Sequence, residues 1–188
     1  CFEGVSSRLV TEFVKPDVVI VGEASSLAIK RGQRGRAEVV LQTFGLSCHS
    51  SNPDEGVNAV TAMLTLLPEI LALKAPQHPV LGDGILVLTD IVSSPYPGLS
   101  VVPESCKVTF DRRLLVGETE PSILEPIQQI LDKHPDIKAK VSVAEGTLTC
   151  YTGKNITAKR FFPAWLLDED HPLVQAAKAA LPSSPLSH

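Results

Sequence analysis

No apolar run in this sequence approaches the roughly 20 residues that a bilayer-spanning helix needs. Its first residues also lack the basic, apolar and small-residue order of a signal peptide. Positive charge is not in excess: 17 Lys and Arg stand against 21 Asp and Glu, a net charge of −4. That balance offers nucleic acids and anionic membrane surfaces little to hold. The densest basic stretch, Lys30 to Arg36, has four cations and no interleaved aromatic, so it reads as a solvated turn and not as a nucleic-acid patch. The four cysteines (Cys1, Cys48, Cys106 and Cys150) never fall at CxxC spacing. This argues against a disulfide framework or a zinc knuckle and for reduced thiols in a cytoplasmic protein. On that view the Asn155-Ile156-Thr157 sequon is accidental. GxSxG, P-loop and HExxH motifs are all missing, and there is no internal repeat.

What is present is ordinary for a folded chain of one large or two small domains: 188 residues, 44% hydrophobic and 20% charged. The first residue is Cys1, and the last seven are the polar tail Pro182 to His188. Both ends lead us to expect a segment of a longer protein.

The local patterns predict a short amphipathic helix over 4–13. A compact β-branched run, Asp17 to Val21, predicts a buried strand with Glu23 just past its C-terminal end, where α/β proteins place ligands. From 32 to 150 the order becomes strand, helix, strand, strand, helix, strand. The strands are Arg36–Phe44, Ile85–Val92, Cys106–Leu115 and a fourth carrying Ile137, Ala139, Val141 and Val143 inward. The first helix, Asp54 to about Leu73, carries the stripe Val57, Val60, Leu64, Leu67 and Leu71, with Pro68 expected to kink or split it. The second, about Pro121 to Lys133, turns Ile123, Leu124, Ile127, Ile130 and Leu131 inward. In the third strand Val108, Phe110 and Leu114 face one way, and Lys107, Thr109, Asp111 and Arg113 the other. This order predicts an α/β (α+β) ferredoxin-like two-layer sandwich: a four-stranded antiparallel sheet, β-α-β-β-α-β, with two helices on one face and the other face open. The chain then leaves through Tyr151 to Lys154 and ends in a helix from Pro172 to Leu181 capped by Asp170.

Three residues stand out chemically. Glu23, at a strand end, has the position of a carboxylate that can ligate zinc; the alternative is a solvated loop glutamate. His49 follows Cys48 at the end of the first strand. Neighbours in a strand point to opposite faces, which speaks against a thiolate-imidazole pair and leaves Cys48 as a small packed residue. His49 itself is open to a structural or a functional role. Arg113, on the open sheet face, can clamp a carboxylate bidentately or pair with Asp90 or Glu38. The acidic run Asp168-Glu169-Asp170-His171 reads as helix-dipole compensation, and His78 and His134 carry no partner spacing.

The succession VIVGEAS at 19–25, IKRGQRGRAEVVLQTFG at 29–45 and CHSSNPDEGVNAV at 48–60, followed by VVPESCKVTFDRRLLVGET at 101–119, resembles the dinuclear-zinc peptidases and deacylases. That family includes acetylornithine deacetylase, succinyl-diaminopimelate desuccinylase, aminoacylase and glutamate carboxypeptidase. FFPAW at 161–165 with EDHP at 169–172 is similar to a selenium-metabolism hydrolase subgroup. The resemblance implies a ferredoxin-like lid and dimerisation domain over 32–150, inserted into a catalytic domain to which 1–31 and 151–188 belong in part.

By the same resemblance Glu23 would be a zinc ligand. His49 would reach the partner subunit's active site to stabilise the oxyanion, and Arg113 would bind the substrate carboxylate. Ser100 stands where the family often has a substrate-binding asparagine. Two zinc ions, a homodimer formed through the lid, and an acyl-amino acid or peptide substrate follow as expectations. The family's remaining zinc ligands and its general base have no counterpart in this sequence, so we expect the chain alone to retain no zinc and no activity. The alternatives are a stand-alone, non-catalytic dimerisation module and a small ferredoxin-like ligand-binding domain.

Overall fold

A computed structural model describes residues 5–187; Cys1, expected to be a reduced thiol, lies outside them. The sheet is built from β1 (Gly35–Phe44), β2 (Ile85–Ser94), β3 (Ser105–Leu114) and β4 (Ala139–Val143). β1 pairs with β3 and β4, and β3 with β2, all antiparallel, giving the spatial order β4-β1-β3-β2. Two helices join these strands: α1 (Ala59–Leu71) between β1 and β2, and α2 (Glu120–Asp132) between β3 and β4. This is the expected ferredoxin-like α+β sandwich. Alternation decides which face is covered. Ala37, Val39 and Leu41 of β1, Val108, Phe110 and Leu114 of β3, and Val143 of β4 are buried under Met63, Leu66, Leu67 and Ile70 of α1 and Ile123, Ile127, Ile130 and Leu131 of α2. Each of the larger of these side chains stabilises the fold by about 1.5–3 kcal/mol.

The first helix begins later than the sequence predicts. Asp54 lies in a single 3-10 turn, Pro53–Glu55, and Asn58 is the cap, its Oδ1 accepting from Val60 N at 2.9 Å and Thr61 N at 3.2 Å. Its phase also differs: Val57, Leu64 and Leu71 of the expected inward stripe are 54%, 58% and 52% exposed. The buried Thr43 hydroxyl donates to Ala59 O at 2.7 Å, fixing the helix start over β1 and with it the rotation. Pro68 does not split α1. The carbonyl it leaves without a donor is that of Leu64, on the solvent face, and the helix ends three residues later.

Other expectations also need correction. Asp17 to Val21 is neither paired nor buried: Val18 to Val21 are exposed, because among the described residues no strand pairs with them and no layer covers them. Tyr151 to Lys154 is the turn of a hairpin, Glu145–Thr149 with Asn155–Lys159, closed by Gly153 at φ +81, a conformation that suits glycine. Lys159 pins this hairpin to α2 through Glu120 at 2.6 Å, and that contact raises the lysine pKa. The last helix, α3 (Pro172–Ala180), is capped by His171, whose ring accepts from Leu173 N, and not by Asp170. The tail is not loose: Leu186–Ser187 pairs in parallel with Ile29–Lys30. Phe161–Phe162 extends the β1 edge beyond β4, and Trp165–Leu166 pairs with Gly32–Gln33. Among the described residues no helix is long and apolar enough to cross a membrane.

Candidate functional site

His49 and Ser100 are brought together by two short extended segments. His49 bridges Val101, Ser50 N donates to Ser100 O at 3.0 Å, and Val102 N donates to Cys48 O at 2.9 Å. The loop can turn there because Gly45 lets Leu46 pair with Val57: a Cβ on Gly45 would stand 2.0 Å from Val57 O. The His49 ring is exposed and oriented. Its Nδ1 accepts from Ser51 N at 3.2 Å and lies 2.8 Å from Ser51 Oγ. An amide can only donate, so in the neutral ring the proton sits on Nε2, which is left as a donor. Ser100 holds φ +53, a left-handed conformation that asparagine tolerates well.

Cys48 is not a nucleophile paired with this histidine. Its thiol donates to Asn52 O at 3.3 Å, away from the imidazole, as strand alternation predicts. Cys106 is buried in the core, and burial pushes its thiol pKa up, which keeps it protonated and inert.

Arg113 lies at the opposite end of the sheet. Its partner across β1 is Arg36, one step from the entry of that strand, whereas His49 and Ser100 lie beyond the Phe44–Ser105 end. Eight residues of β3 separate Ser105 from Arg113, about 27 Å of strand. Arg113 Nε lies 3.0 Å from Asp111 Oδ1, while the other oxygen of Asp111 accepts from Arg36 Nε at 2.8 Å. Neither partner foreseen for Arg113 engages it: Glu38 is drawn off by Arg160 at 2.7 Å, and Asp90 faces Thr109 across the bulge in β2. Asp111 shares the phase of Arg113 in the sequence, but its link to Arg36, 75 residues away, could not be read there. The four cations of the basic turn are all engaged, Lys30 with Ser187, Arg31 with Leu167 O and Glu169, Arg34 with Asp83 O and Arg36 with Asp111.

Glu23 is exposed, in an irregular segment, with its Oε1 accepting from Ala24 N at 3.2 Å. Among the described residues no three His, Cys, Asp or Glu side chains stand together as metal ligands. One solvated carboxylate does not make a zinc site by itself. His78 and His134 have structural partners: His78 accepts from Val80 N and Leu81 N, and His134 lies 2.7 Å from Glu69, tying α2 to α1.

Comparison with known proteins matches residues 31–138 to the peptidase dimerisation domain. The protein YgeY of Escherichia coli, itself uncharacterised, is 34% identical over 165 residues, 87% of this chain and 40% of that protein. Acetylornithine deacetylase of Buchnera aphidicola is 30% identical over 141 residues, 69% of this chain and 36% of that enzyme. Among solved structures, the aminopeptidase PepT of Bacillus cereus superposes with a TM-score of 0.57 at 15% identity, covering 85% of this chain and 39% of that one. The last likeness is one of fold. The chain thus spans about two fifths of the length of the curated relatives it matches.

Proposed function

Because the chain belongs to the peptidase family defined by that dimerisation domain, we propose that it is the lid and dimerisation portion of a zinc-dependent amidohydrolase. The substrates would be N-acyl amino acids or peptides with a free carboxylate. Residues 32–150 are the lid in this reading, and 1–31 and 151–188 belong to the catalytic domain. One observation carries it: His49 with Ser100 and Arg113 occupy opposite ends of one sheet, too far apart to meet on one substrate. Two copies resolve this. Arg113, near the point where the chain enters the sheet, serves its own subunit's site and holds the substrate carboxylate. His49 and Ser100 reach the partner's, where the imidazole Nε2 donor stabilises the developing oxyanion and Ser100 contacts substrate. Glu23 is the one zinc ligand this chain would contribute; zinc would polarise the amide carbonyl and activate water. The free thiols of Cys48, Cys106 and Cys150 support a reducing, cytoplasmic setting.

Extended at both ends to its relatives' length, the protein is expected to hydrolyse N-acetyl amino acids and to lose that activity on chelation. The 188-residue chain alone is expected to show no turnover and less than one zinc bound per chain by metal analysis. Turnover, or stoichiometric zinc, in the short chain would overturn the division of labour proposed here.

The surface for the second copy is the outer face of α1. Leu64 and Leu71 are more than half exposed, and with Val57, Thr61 and Pro68 they form an uncharged stripe. Beside it runs β2, whose outer edge has no strand partner among the described residues and whose Ile91, on the helix-bearing side, is 49% exposed. An unpaired edge and an apolar helix face are costly to leave in water. Sedimentation should show a dimer at tens of micromolar. Leu64→Asp with Leu71→Asp should raise its dissociation constant about a hundredfold or more, from the loss of two buried leucines. A monomeric wild type, or an unaffected double variant, would remove this face from the interface.

A further inference from the structure

We propose that Ser51 is a positioning residue for His49, its hydroxyl holding the imidazole in the one orientation that presents Nε2–H outward. This rests on the reading of His49 given above. The backbone around His49 is already fixed: it bridges Val101, Ser50 N donates to Ser100 O at 3.0 Å, and Asn52 N closes a turn onto His49 O at 2.9 Å. The ring is not fixed by that backbone, since χ2 of histidine is broad and roughly two-fold. Packing does not fix it either, because His49 and Ser51 are both exposed. Hydrogen bonds remain. Ser51 brings two groups to one ring nitrogen, its amide at 3.2 Å and its Oγ at 2.8 Å from Nδ1.

The amide settles the tautomer, because it can only donate and so meets a lone pair on Nδ1. With no hydrogen on Nδ1, the 2.8 Å contact is the Ser51 hydroxyl donating to the ring. That hydroxyl has one proton, and its other acceptor, Asn52 Oδ1, is farther away at 3.3 Å. Any residue except proline would supply the amide; the hydroxyl is what serine adds. A half-turn of the ring about Cβ–Cγ would set the hydrogen on Cδ2 against both donors. It would also put Cε1 where Nε2 now stands, and a carbon-bound hydrogen is a poor partner for an oxyanion. Ser51 therefore opposes the orientation that would waste the histidine. His171 supplies a comparison within the chain. Its Nδ1 accepts from the amide two residues on, Leu173 N, at the same 3.2 Å, but a leucine has no hydroxyl to add.

The first measurement is NMR of the ring nitrogens in the 188-residue chain with isotope-labelled histidine, at about pH 8.5, where imidazoles are neutral. His49 should carry its proton on Nε2, with the Nδ1 signal displaced further toward the hydrogen-bonded side than that of His171. Ser51→Ala should bring the two signals together, and Ser51→Thr should keep them apart. Ser51 is exposed, so the alanine variant should retain its dispersed amide spectrum. The second measurement is turnover of N-acetyl-L-leucine by the protein extended to its relatives' length. Ser51→Ala should lower kcat about fivefold with KM unchanged, the effect of one neutral hydrogen bond, and Ser51→Thr should restore most of it. In the His49→Ala background Ser51→Ala should cost nothing more, because two residues acting through one group are not additive. A proton on Nδ1 in the wild type, an unmoved Nδ1 signal or undiminished kcat in Ser51→Ala, or losses that multiply in the double variant would overturn the positioning role and leave the reading of His49 standing. A His49→Ala variant with full kcat, or an extended protein without turnover, overturns that reading and the part of Ser51 in it.

Discussion

Glu118→Ala is expected to lower the folding free energy by about 3 kcal/mol, the lower end of the 3–5 kcal/mol typical when one partner of a buried ion pair is removed. Arg112 sits in the inward phase of β3, between Phe110 and Leu114, and is 7% exposed. Three acceptors make that tolerable: Glu118, Ile85 O at 3.2 Å and Arg113 O at 3.3 Å. Glu118 also accepts from Leu115 N at 2.6 Å, which closes the turn through Gly117. Alanine would leave a buried cation with two carbonyls and no counter-charge, and would open that turn. The lower end of the range applies because the pair borders a cavity of about 510 Å³ between the end of α1 and the start of α2, through which water can reach the freed guanidinium. Against a typical total stability of about 5–15 kcal/mol this is a large loss. Urea denaturation measures it directly. The pair Arg112→Met with Glu118→Leu should recover most of the stability, since apolar replacement of a whole buried pair is often neutral or better. A cost below about 1 kcal/mol for Glu118→Ala would mean that the pair is effectively hydrated.

His49→Ala in a protein extended to its relatives' length is expected to lower kcat by about 10²–10³, the usual consequence of losing one oxyanion donor. The more telling result concerns mixed subunits. Glu23→Ala should also abolish activity, being a loss from the proposed metal site. A dimer of one His49→Ala subunit and one Glu23→Ala subunit then has one complete site only if His49 acts across the interface. The first subunit supplies Glu23 and the second lends its imidazole. Co-expression with two affinity tags isolates that mixed dimer, and it should recover about half the wild-type activity, one site of two. Recovery near zero would assign His49 to its own subunit. That result would conflict with the 27 Å or so of strand between Arg113 and Ser105, the end of β3 beyond which His49 lies.

The alternation in β3 and β4 was legible because their outward positions are mostly polar, and a period of two then fixes both element and face. The helix α1 was not, for the opposite reason. Its apolar residues occupy two faces, and composition does not say which meets the sheet. The buried set Ala59, Met63, Leu66 and Ile70 and the exposed set Val57, Leu64 and Leu71 are both good stripes, and the tie from Thr43 to Ala59 selects between them. Asp17 to Val21 misled similarly: β-branched residues report that a strand is favoured, not that a partner strand lies beside it. The hairpin 145–159 was missed because its strands are rich in threonine, with facing hydroxyls such as Thr147 and Thr157 at 2.8 Å where a core signal would be sought. At the site, the phase shared by Asp111 and Arg113 was visible, whereas the contacts with Arg36 and between His49 and Val101 depend on pairings between distant strands.

The chain crosses into and out of the sheet unit side by side. Gly32–Gln33 is paired with Trp165–Leu166, Leu167 N donates to Arg31 O at 2.8 Å, and the Arg31 guanidinium returns to Leu167 O at 2.7 Å. A Cβ on Gly32 would stand 2.5 Å from Leu166 Cδ1, so the two crossings touch. Two separate tethers would let the sandwich swivel freely. A hydrogen-bonded ribbon behaves instead as a leaf spring, bending across its flat face at little cost while resisting shear and twist, which would part its rungs. The chain therefore enters and leaves the sandwich as one hydrogen-bonded ribbon.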